Sequence, residues 1–521
     1  MTAAVPAAFE AVSINYGAIA PMLVVVGGAL IGVLVEAFAS RNVRYPAQVV
    51  LTLVTLVAAM VVLVLWAAPN QAVTLGGSIA IDGPAIFLQG SLLLLGLLGV
   101  LAMSERFGGK SADAFTPMGA SSPGSPQETA AARAGFATSE VFPLSLFAVF
   151  GMLIFVAAND LITMFVALEV LSLPLYVMTG LARRRRLLSQ EASLKYFLLG
   201  AFSSAFFLFG AALLYGFSGS SDLKLIARAI GTNAVTMNGL LLPGAILVLV
   251  GVLFKVGAVP FHSWTPDAYQ GAPTPVTGFM AAATKLAAFG AILRLAYVGF
   301  EASRWDWRVG VGVIAALTMI VGAVLSVTQT DMKRLLAYSS VAHAGFVLIG
   351  VLAFDVTGIA GVMFYVAAYG LSVIAAFAII AMVRQGGSEA THLSQWAGLG
   401  RRHPVVAGVF SFLLLAFAGI PLTSGFTAKF AVFAPALKSG GTMGVVLVVI
   451  GVLASAVTAY VYFRIIVLMY FTEAPDEEVV ALTPSAATTI VITVGALATL
   501  LLGVVPGLLL ELAQSHSIFS L

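Results

Sequence analysis

The 521-residue chain contains no cysteine. Without thiols it cannot form a disulfide, hold an iron–sulfur cluster or a Cys-type zinc site through cysteine, or carry out thiol catalysis. Histidine is also scarce, with five residues in all. His392 and His403 share one polar loop and His516 lies at the C-terminus. This distribution argues against a haem held between helices by two histidines.

Charged residues are also few. Asp, Glu, Lys and Arg make up 9% of the chain, whereas a soluble domain carries about 25%. Hydrophobic residues make up 60%. A chain with so few charges cannot cover a water-facing surface, which excludes a soluble enzyme, a nucleic-acid binder and a disordered protein. Residues 1–16 contain no Lys or Arg and therefore lack the positive region of a cleaved signal peptide.

Long apolar runs dominate the remaining sequence. A membrane-spanning helix needs about 20 apolar residues, and fourteen stretches approach or exceed this length. They lie at about 17–39, 47–68, 79–103, 141–158, 160–182, 191–217, 239–270, 274–299, 309–328, 334–354, 357–383, 404–437, 442–471 and 485–511. The pattern predicts an all-α polytopic membrane protein with about fourteen transmembrane helices.

The basic residues of the connecting loops predict the orientation, because Lys and Arg favour the inside of a membrane. With the N-terminus outside, fourteen of them fall in inside loops: Arg41, Arg44, Arg106, Lys110, Arg133, Arg183, Arg184, Arg185, Arg186, Lys333, Arg334, Arg384, Arg401 and Arg402. Five fall in outside loops: Lys224, Arg228, Arg304, Arg308 and Lys438. An even number of spans places both termini outside. A cysteine introduced at Ser189 should then react from the inside.

Residues 104–140 differ in composition from the rest of the chain. They are rich in Gly, Ser, Ala, Pro and Thr, with scattered charges. This composition is typical of a flexible insertion, here on the cytoplasmic side. Because such a segment offers no core to bury, deletion of residues 112–130 is expected to be tolerated.

The spans divide into four parts with an internal repeat. Residues 1–140 hold three helices and the insertion, 141–300 and 301–475 hold five helices each, and 476–521 hold the last. Since five is odd, the two middle units are predicted to be inverted copies. The seventh span of the chain lies in the first unit and the twelfth span in the second. Both are predicted to break, at matched places near Pro260 and Pro421. Inverted repeats with broken helices are typical of transporters, whose ion sites lie at the breaks.

Charged residues inside the spans indicate which chemistry the chain carries out. A charge at the bilayer centre costs about 3 kcal/mol or more, so such residues persist where they face a polar interior or have a function. The lone mid-span carboxylate is Glu169, and basic residues within spans include Lys255, Lys285 and Lys429. Isolated lysines and a carboxylate without a metal-ligand cluster favour proton transfer over binding of a large solute. The alternative for Glu169 is a structural ion pair, and for Lys255 a side chain reaching an interface.

Three further basic residues lie within spans. Lys195 could be satisfied by Glu191 one helical turn earlier. Arg294 and Arg464 hold their charge too firmly to release protons. They are expected to anchor helices or to set the electric field of a water path. No phosphate loop, nucleophile elbow or dinucleotide fingerprint occurs in the sequence.

Two segments resemble a known family. Residues 259–277, with Trp264-Thr-Pro-Asp267-x-Tyr269-x-Gly-Ala-Pro-Thr-Pro, resemble the antiporter-like membrane subunits of respiratory complex I. Residues 331–346, Asp-Met-Lys-Arg-Leu-Leu-Ala-Tyr-Ser-Ser-Val-Ala-His-Ala-Gly-Phe, are similar to the start of span 10 in the same group. The Trp-Thr-Pro-Asp form is most similar to subunit N of bacterial NADH-quinone oxidoreductases. The resemblance covers nearly the whole chain, except that the 104–140 insertion does not match the usual short loop.

The resemblance implies a proton-translocating subunit in the membrane arm of a bacterial cell membrane complex. The family's functional residues would be Glu169, Lys255, Lys285 and Lys429, with Lys195, His262 and His343 less firmly assigned. For the last three, helix capping or hydrogen bonding at the break is the alternative. No cofactor is expected in this chain, since flavin, iron–sulfur clusters and quinone would belong to partner subunits. Subunits M and K are the expected neighbours, and nucleic acid is not an expected partner.

Two other functions stay open at this point. A subunit of a multisubunit cation/proton antiporter would share the fold, and loss of sodium-dependent flux on deletion would favour it. A non-pumping structural block of the membrane arm would use the buried charges only to hold helices together. Lys255→Ala distinguishes this last function from pumping, because a structural block should keep NADH-driven pumping if the complex still assembles.

Overall fold

The computed structural model describes residues 13–107, 113–232, 238–473 and 479–520. Within these ranges the chain forms 21 α-helices. They are α1 Tyr16–Phe38, α2 Arg41–Val62, α3 Gly83–Met103, α4 Pro126–Arg133, α5 Val141–Ala157, α6 Leu161–Thr179, α7 Arg186–Ser218, α8 Leu223–Thr232, α9 Asn238–Val256, α10 Trp264–Gly271, α11 Thr274–Phe279, α12 Lys285–Arg294, α13 Arg304–Thr328, α14 Met332–Val351, α15 Val356–Met382, α16 Leu399–Arg402, α17 Pro404–Ala418, α18 Ser424–Ser439, α19 Gly441–Phe471, α20 Ala486–Val504 and α21 Gly507–Ser515.

In the described part of the chain, twelve helical segments are long and apolar enough to cross a membrane by length and composition, each with at least 18 residues. Two shorter apolar helices accompany them, α5 with 17 residues and α17 with 15. Helices overlap all fourteen predicted stretches. The predicted helical membrane class is therefore confirmed, while the number of crossings and the repeat stay predictions.

Both predicted helix breaks are present. The seventh predicted span is divided into α9 and α10, and the twelfth into α17 and α18. Glycines in the left-handed region end the first half of each pair, Gly257 with φ +75° and Gly419 with φ +84°. A Cβ on Gly257 would lie 2.7 Å from Thr265 Oγ1, so this turn requires glycine. The breaks leave helix ends inside the bundle.

The helices form an inner group and an outer group. The segment that runs through α11 and α12 is buried along its whole length, and α14 and α15 are nearly so. Outer helices such as α2, α7 and α19 expose large apolar side chains, among them Phe202 and Leu453. Lipid-facing surface is expected to look like this, because hydrocarbon chains are as apolar as the side chains. The buried lysines discussed below all lie within or against the inner group.

Five short strands depart from the all-α prediction. The strands β1 Ala72–Thr74 and β2 Ile79–Ile81 form an antiparallel pair. The strands β3 Val383–Gln385, β4 Ser388–Glu389 and β5 Val479–Ala481 form an antiparallel sheet in the order β4-β3-β5. Each strand has only two or three residues, which is too short for an alternating pattern to be recognised in sequence.

The insertion is structured, contrary to the expectation of a segment with nothing to bury. It contains α4, and Asp113 and Phe115 are buried. Asp113 Oδ1 lies 2.6 Å from the Arg183 guanidinium, and Glu128 Oε1 lies 3.2 Å from Arg186 Nε. Burial raises the pKa of Asp113, and the Arg183 charge acts against that shift.

These contacts overturn the reason for expecting a harmless deletion. Removing residues 112–130 would take away Asp113 and Glu128 and leave Arg183 and Arg186 without their carboxylates. The composition of the insertion does not indicate these contacts, because the arginine partners lie far away in sequence, at the α6–α7 connection and the start of α7. Residues 108–112 of the insertion lie outside the described residues.

The predicted orientation can be tested by cysteine labelling, which is clean because the chain has no native cysteine. Ser189 is a poor position, since it is fully buried and bonded to the Thr179 carbonyl. Arg401 and Thr232 are exposed. An impermeant thiol reagent added outside intact cells should label Thr232→Cys and not Arg401→Cys. Labelling of Arg401→Cys and not of Thr232→Cys would show that the topology is the reverse of the predicted one.

Candidate functional site

Lys255 is held by neutral hydroxyl groups near the first break. It lies in the last turn of α9 and is 2% exposed. Its ammonium group donates to Ser172 Oγ of α6 at 2.8 Å and to the Tyr196 hydroxyl of α7 at 3.0 Å. The Trp264 ring stacks on Tyr196 with centroids 4.4 Å apart. The second half of the broken helix therefore positions the tyrosine that holds the lysine.

Lys285 occupies the centre of the inner helices. It begins α12 directly after a π-helical turn, Met280–Thr284, and is 5% exposed. Its ammonium donates to Ser340 Oγ of α14 at 2.6 Å and to the Ser340 carbonyl. Such a turn widens the helix by one residue and is frequent at functional sites. Ser340 Oγ lies 3.5 Å from the Tyr269 hydroxyl of α10.

Lys429 lies at the second break and is 7% exposed. Its ammonium donates to the carbonyls of Phe417 at 3.2 Å and Ala418 at 2.8 Å, and to Ser455 Oγ at 2.5 Å. The two carbonyls are the free acceptors at the C-terminal end of α17. That end carries partial negative charge, which stabilises a cation. The break thus supplies the acceptors that an unbroken helix would have used itself.

Glu169 is near Lys255 but not in contact with it. The carboxylate is half-buried in α6, and its Oε1 has no hydrogen-bond partner among the described residues. It lies one helical turn before Ser172, the hydroxyl that accepts from Lys255. The Glu169 charge still acts electrostatically on Lys255. An ion pair between them would require a rearrangement of these side chains.

His343 joins a cluster of hydroxyl groups beside the second break. The buried ring bonds through Nδ1 to the Tyr365 hydroxyl at 2.7 Å, and Nε2 lies 3.5 Å from the Tyr462 hydroxyl. Tyr462 also bonds to Ser339. Ser339 precedes Ser340, which holds Lys285, so the cluster adjoins the Lys285 position.

The other two less firmly assigned residues lie apart from the buried lysines. His262 is half-buried in the first break, and its Nδ1 has no partner among the described residues. Lys195 is exposed and pairs with Glu191 at 2.7 Å, as its spacing predicts, and with Asp267 at 3.1 Å. Asp267 also binds Arg334 at 2.6 Å. Lys195 therefore belongs to an ion network in the first turn of α10.

Both intramembrane arginines anchor helices, as predicted. Arg294 is fully buried and forms two hydrogen bonds to Asp82, at 3.0 and 2.8 Å. Arg464 donates to the carbonyls of Val327 and Gln329 at the end of α13, at 2.8 and 2.9 Å. A guanidinium fork suits both arrangements, because it offers several fixed donors.

Sequence reasoning missed the hydroxyl partners. They are Ser172, Tyr196, Ser340, Tyr462 and Ser455. Ser and Tyr are common in membrane helices, so their presence alone carries no signal. In the described part of the chain, no group of three or more His, Asp or Glu side chains is placed to hold a metal ion.

Comparison with known proteins identifies the family of the chain. The family model described as "NADH:quinone oxidoreductase/Mrp antiporter, TM" matches residues 158–458. NADH-quinone oxidoreductase subunit N of Salinispora arenicola is 53% identical, with 97% of this chain and 98% of that protein covered. Subunit N of Rhodococcus opacus is 54% identical, with 98% of each covered. The chain belongs to the NADH-quinone oxidoreductase subunit N family. The resemblance read from the Trp-Thr-Pro-Asp segment is thereby confirmed.

Solved structures place the subunit N family in a wider fold group. A chain of respiratory complex I from Thermus thermophilus, with bound aureothin, matches with a TM-score of 0.75 and 32% identity over 95% of this chain and 99% of that chain. A chain of the Mrp complex from Dietzia matches with a TM-score of 0.79 and 22% identity over 97% of each. The Dietzia match shows the fold alone. The region that the family model matches includes Glu169, Lys255, Lys285, Lys429, His262 and His343.

Proposed function

We propose that this chain translocates protons in the membrane arm of a bacterial NADH-quinone oxidoreductase, with Lys255, Lys285 and Lys429 as the proton-carrying groups. One observation carries the proposal. The three ammonium groups are buried, and within the described ranges each is bonded only to hydroxyl or carbonyl oxygens, with no carboxylate within 4.0 Å. The subunit N relatives and the complex I chain support the assignment to a NADH-quinone oxidoreductase and do not bear on individual lysines.

A buried lysine with neutral partners is suited to releasing its proton. Burial penalises the charged form, and a nearby carboxylate would restore it. Seryl and tyrosyl hydroxyl groups both donate and accept, so they can bond to a lysine in either state. The arrangement differs from that of Arg294, which has a full carboxylate partner. A small movement of a charge can therefore change the protonation of the lysines and leave the arginine unchanged.

Glu169 supplies that charge in this proposal. When the carboxylate approaches, Lys255 is held charged. When it withdraws, the neutral form is favoured and the proton can leave toward Lys285. Ser172 and Tyr196 hold the lysine between these two states.

In the second half of the molecule, Lys429 is the exit-side carrier, with His343 and its tyrosines between it and Lys285. The free carbonyls of α17 offer a partner that is weaker than a carboxylate, so Lys429 can hold a proton transiently. His262 and Lys195 have subsidiary roles at the break. The two five-helix units, residues 141–300 and 301–475, serve as paired half-paths in this scheme.

We infer the environment of the chain from the family resemblance and from the loop charges. Flavin, iron–sulfur clusters and quinone belong to other subunits, and electron transfer there drives pumping here. Subunit M and small subunits such as K are the proposed neighbours in the bilayer, and both termini face outside. A subunit of a cation/proton antiporter is the less favoured function, because the Mrp likeness is one of fold. Sodium-dependent flux that disappears with this chain would favour that alternative.

The proposal is tested by comparing two lysines of one helix. Lys429→Met should lower the pumping rate through this subunit by roughly 10²-fold, since a positioned proton-transfer group contributes at least that much. Lys438→Met, at the exposed end of α18, should leave it unchanged. NADH-driven proton uptake by vesicles with equal amounts of assembled complex gives the comparison. Equal pumping by the two variants would contradict the proposed role of Lys429.

A further inference from the structure

A basic cavity of about 390 Å³ lies on the face of the molecule predicted to be cytoplasmic. The α6–α7 connection, the α10–α11 connection, the start of α14 and the β3–β4–β5 sheet surround it. Among the described residues that line it, five are basic and two are acidic. These are Arg183, Arg184, Arg185, Lys333 and Arg384, and Asp113 and Glu389.

The positive charge of this cavity is mostly unneutralised within the described part of the chain. Among the described basic residues of the lining, only Arg183 forms an ion pair, with Asp113 at 2.6 Å. Arg184 and Arg185 are exposed, and their side chains form no hydrogen bond or ion pair with described residues. Lys333 is buried and donates to the Ala272 carbonyl at 2.7 Å and to Thr274 Oγ1 at 3.1 Å. The lining therefore carries positive charge that is available to bind an anionic ligand.

Arg384 is the group best placed for such a ligand. Its guanidinium lies 3.8 Å from the centroid of the Phe107 ring and donates to the Gly387 carbonyl at 3.3 Å. Its Nε is buried and has no partner in the described ranges. Burial lowers the pKa of Arg384, and the charges of Arg184 and Arg183 act in the same direction, against Glu389. Positive charges that lie close together repel one another, and an anion bound between them offsets this repulsion.

We propose that this cavity binds a phosphate-bearing anion, with Arg384 and Arg184 as its principal contacts. Guanidinium groups match the oxygens of phosphate with paired hydrogen bonds. The cavity volume lies within the range of small-molecule sites. Phe107, Val480 and Leu482 add an apolar wall for the organic part of a phosphate ester. The phosphate could come from an anionic lipid headgroup at the membrane surface or from a soluble compound.

Binding here would tie together parts of the chain that are far apart in sequence. The ligand would bridge the α6–α7 connection to the β3–β4 hairpin, beside the α10–α11 connection that Lys333 holds. It would stabilise the inside face of the first broken helix. None of the residues that line the cavity is among the proposed proton-carrying groups Lys255, Lys285 and Lys429.

The first experiment uses inorganic pyrophosphate as the probe. Its binding to the assembled complex, purified in a neutral detergent and stripped of lipid, is measured by calorimetry. Wild type and Arg401→Gln/Arg402→Gln, which removes two charges from α16 outside the cavity, should bind equally. Arg184→Gln/Arg384→Gln should bind at least about tenfold more weakly, which corresponds to about 1.4 kcal/mol. Arg384→Lys, which keeps the charge, should retain part of the affinity.

The second experiment distinguishes the sources of phosphate. The same variants are placed in phosphatidylcholine vesicles with or without phosphatidylglycerol, and thermal unfolding of the complex is followed. Stabilisation by phosphatidylglycerol that requires Arg184 and Arg384 assigns a lipid headgroup. Pyrophosphate binding without that lipid effect assigns a soluble phosphate. If Arg384 proves necessary for assembly, Arg184→Gln alone replaces the double variant.

Two outcomes would overturn the proposal. One is that neither probe distinguishes the double variant from wild type and from the α16 control. The other concerns Asp476, Glu477 and Glu478, which precede β5 in sequence and lie outside the described residues. If Asp476→Asn/Glu477→Gln/Glu478→Gln gains pyrophosphate binding that wild type lacks, the chain's own carboxylates fill the cavity.

Discussion

Replacing Lys255 with alanine should nearly abolish proton translocation through this subunit while the complex still assembles. The substitution removes the ammonium group that Ser172 and Tyr196 hold, and the two hydroxyls can then bond through water. We expect the pumping rate through this path to fall by roughly 10²-fold or more. NADH-driven acidification of membrane vesicles measures the effect, and native gel electrophoresis measures assembly.

The matched control for this variant is Lys224→Ala, which removes a lysine from α8 outside the buried group. It should pump as wild type does. If assembled Lys255→Ala complex also pumped normally, the buried lysines would be structural. The chain would then be a passive block of the membrane arm.

The second large effect is expected for Glu169→Gln. Glutamine keeps the shape of the side chain and removes the charge that acts on Lys255. NADH-driven pumping should fall strongly, while the amount of assembled complex stays nearly unchanged, because Glu169 is not bonded to Lys255 in this structure. Glu169→Asp should be milder, since it keeps the charge and only shortens the reach.

Glu191→Gln is the control for the loss of a carboxylate. Glu191 is exposed and pairs with Lys195 at 2.7 Å, and exposed pairs contribute only about 0–1 kcal/mol. Pumping by this variant should be normal. Normal proton-to-electron ratios in assembled Glu169→Gln complex would rule out the proposed switch. A structure that places the Glu169 carboxylate against lipid would do the same.

The helical membrane fold could be predicted from the sequence because its signals are local. A stretch of apolar residues long enough to span a bilayer needs no knowledge of its neighbours. The breaks were also predictable, since Pro260 and Pro421 interrupt otherwise continuous apolar stretches. The pairing of Lys195 with Glu191 was predictable for the same reason, as both lie on one helix.

The partners of the buried lysines could not be predicted, because they come from other helices. Ser172 is 83 residues from Lys255, and Ser340 is 55 residues from Lys285. The acceptors of Lys429 are backbone carbonyls, which every residue carries. Asp82, the partner of Arg294, is 212 residues away. Sequence identified the costly charges, and only the folded chain identifies what stabilises each one.

The packing of the insertion was missed for a related reason. Its composition resembles that of a linker, yet Asp113 and Glu128 meet arginines some 60 to 70 residues later. The four arginines at 183–186 predict the orientation of the chain. Arg183 and Arg186 also hold the insertion, and the basic cavity is lined by Arg183, Arg184 and Arg185.

The central claim is that buried lysines act by taking up and releasing protons and not simply by carrying charge. The most direct test is the proton-to-electron ratio of reconstituted complex with Lys255→Arg. Arginine keeps a positive charge at this position and does not release its proton at any physiological pH. We expect the ratio to fall nearly as far as in Lys255→Ala. A wild-type ratio in Lys255→Arg would contradict the claim, because a fixed charge would then be sufficient.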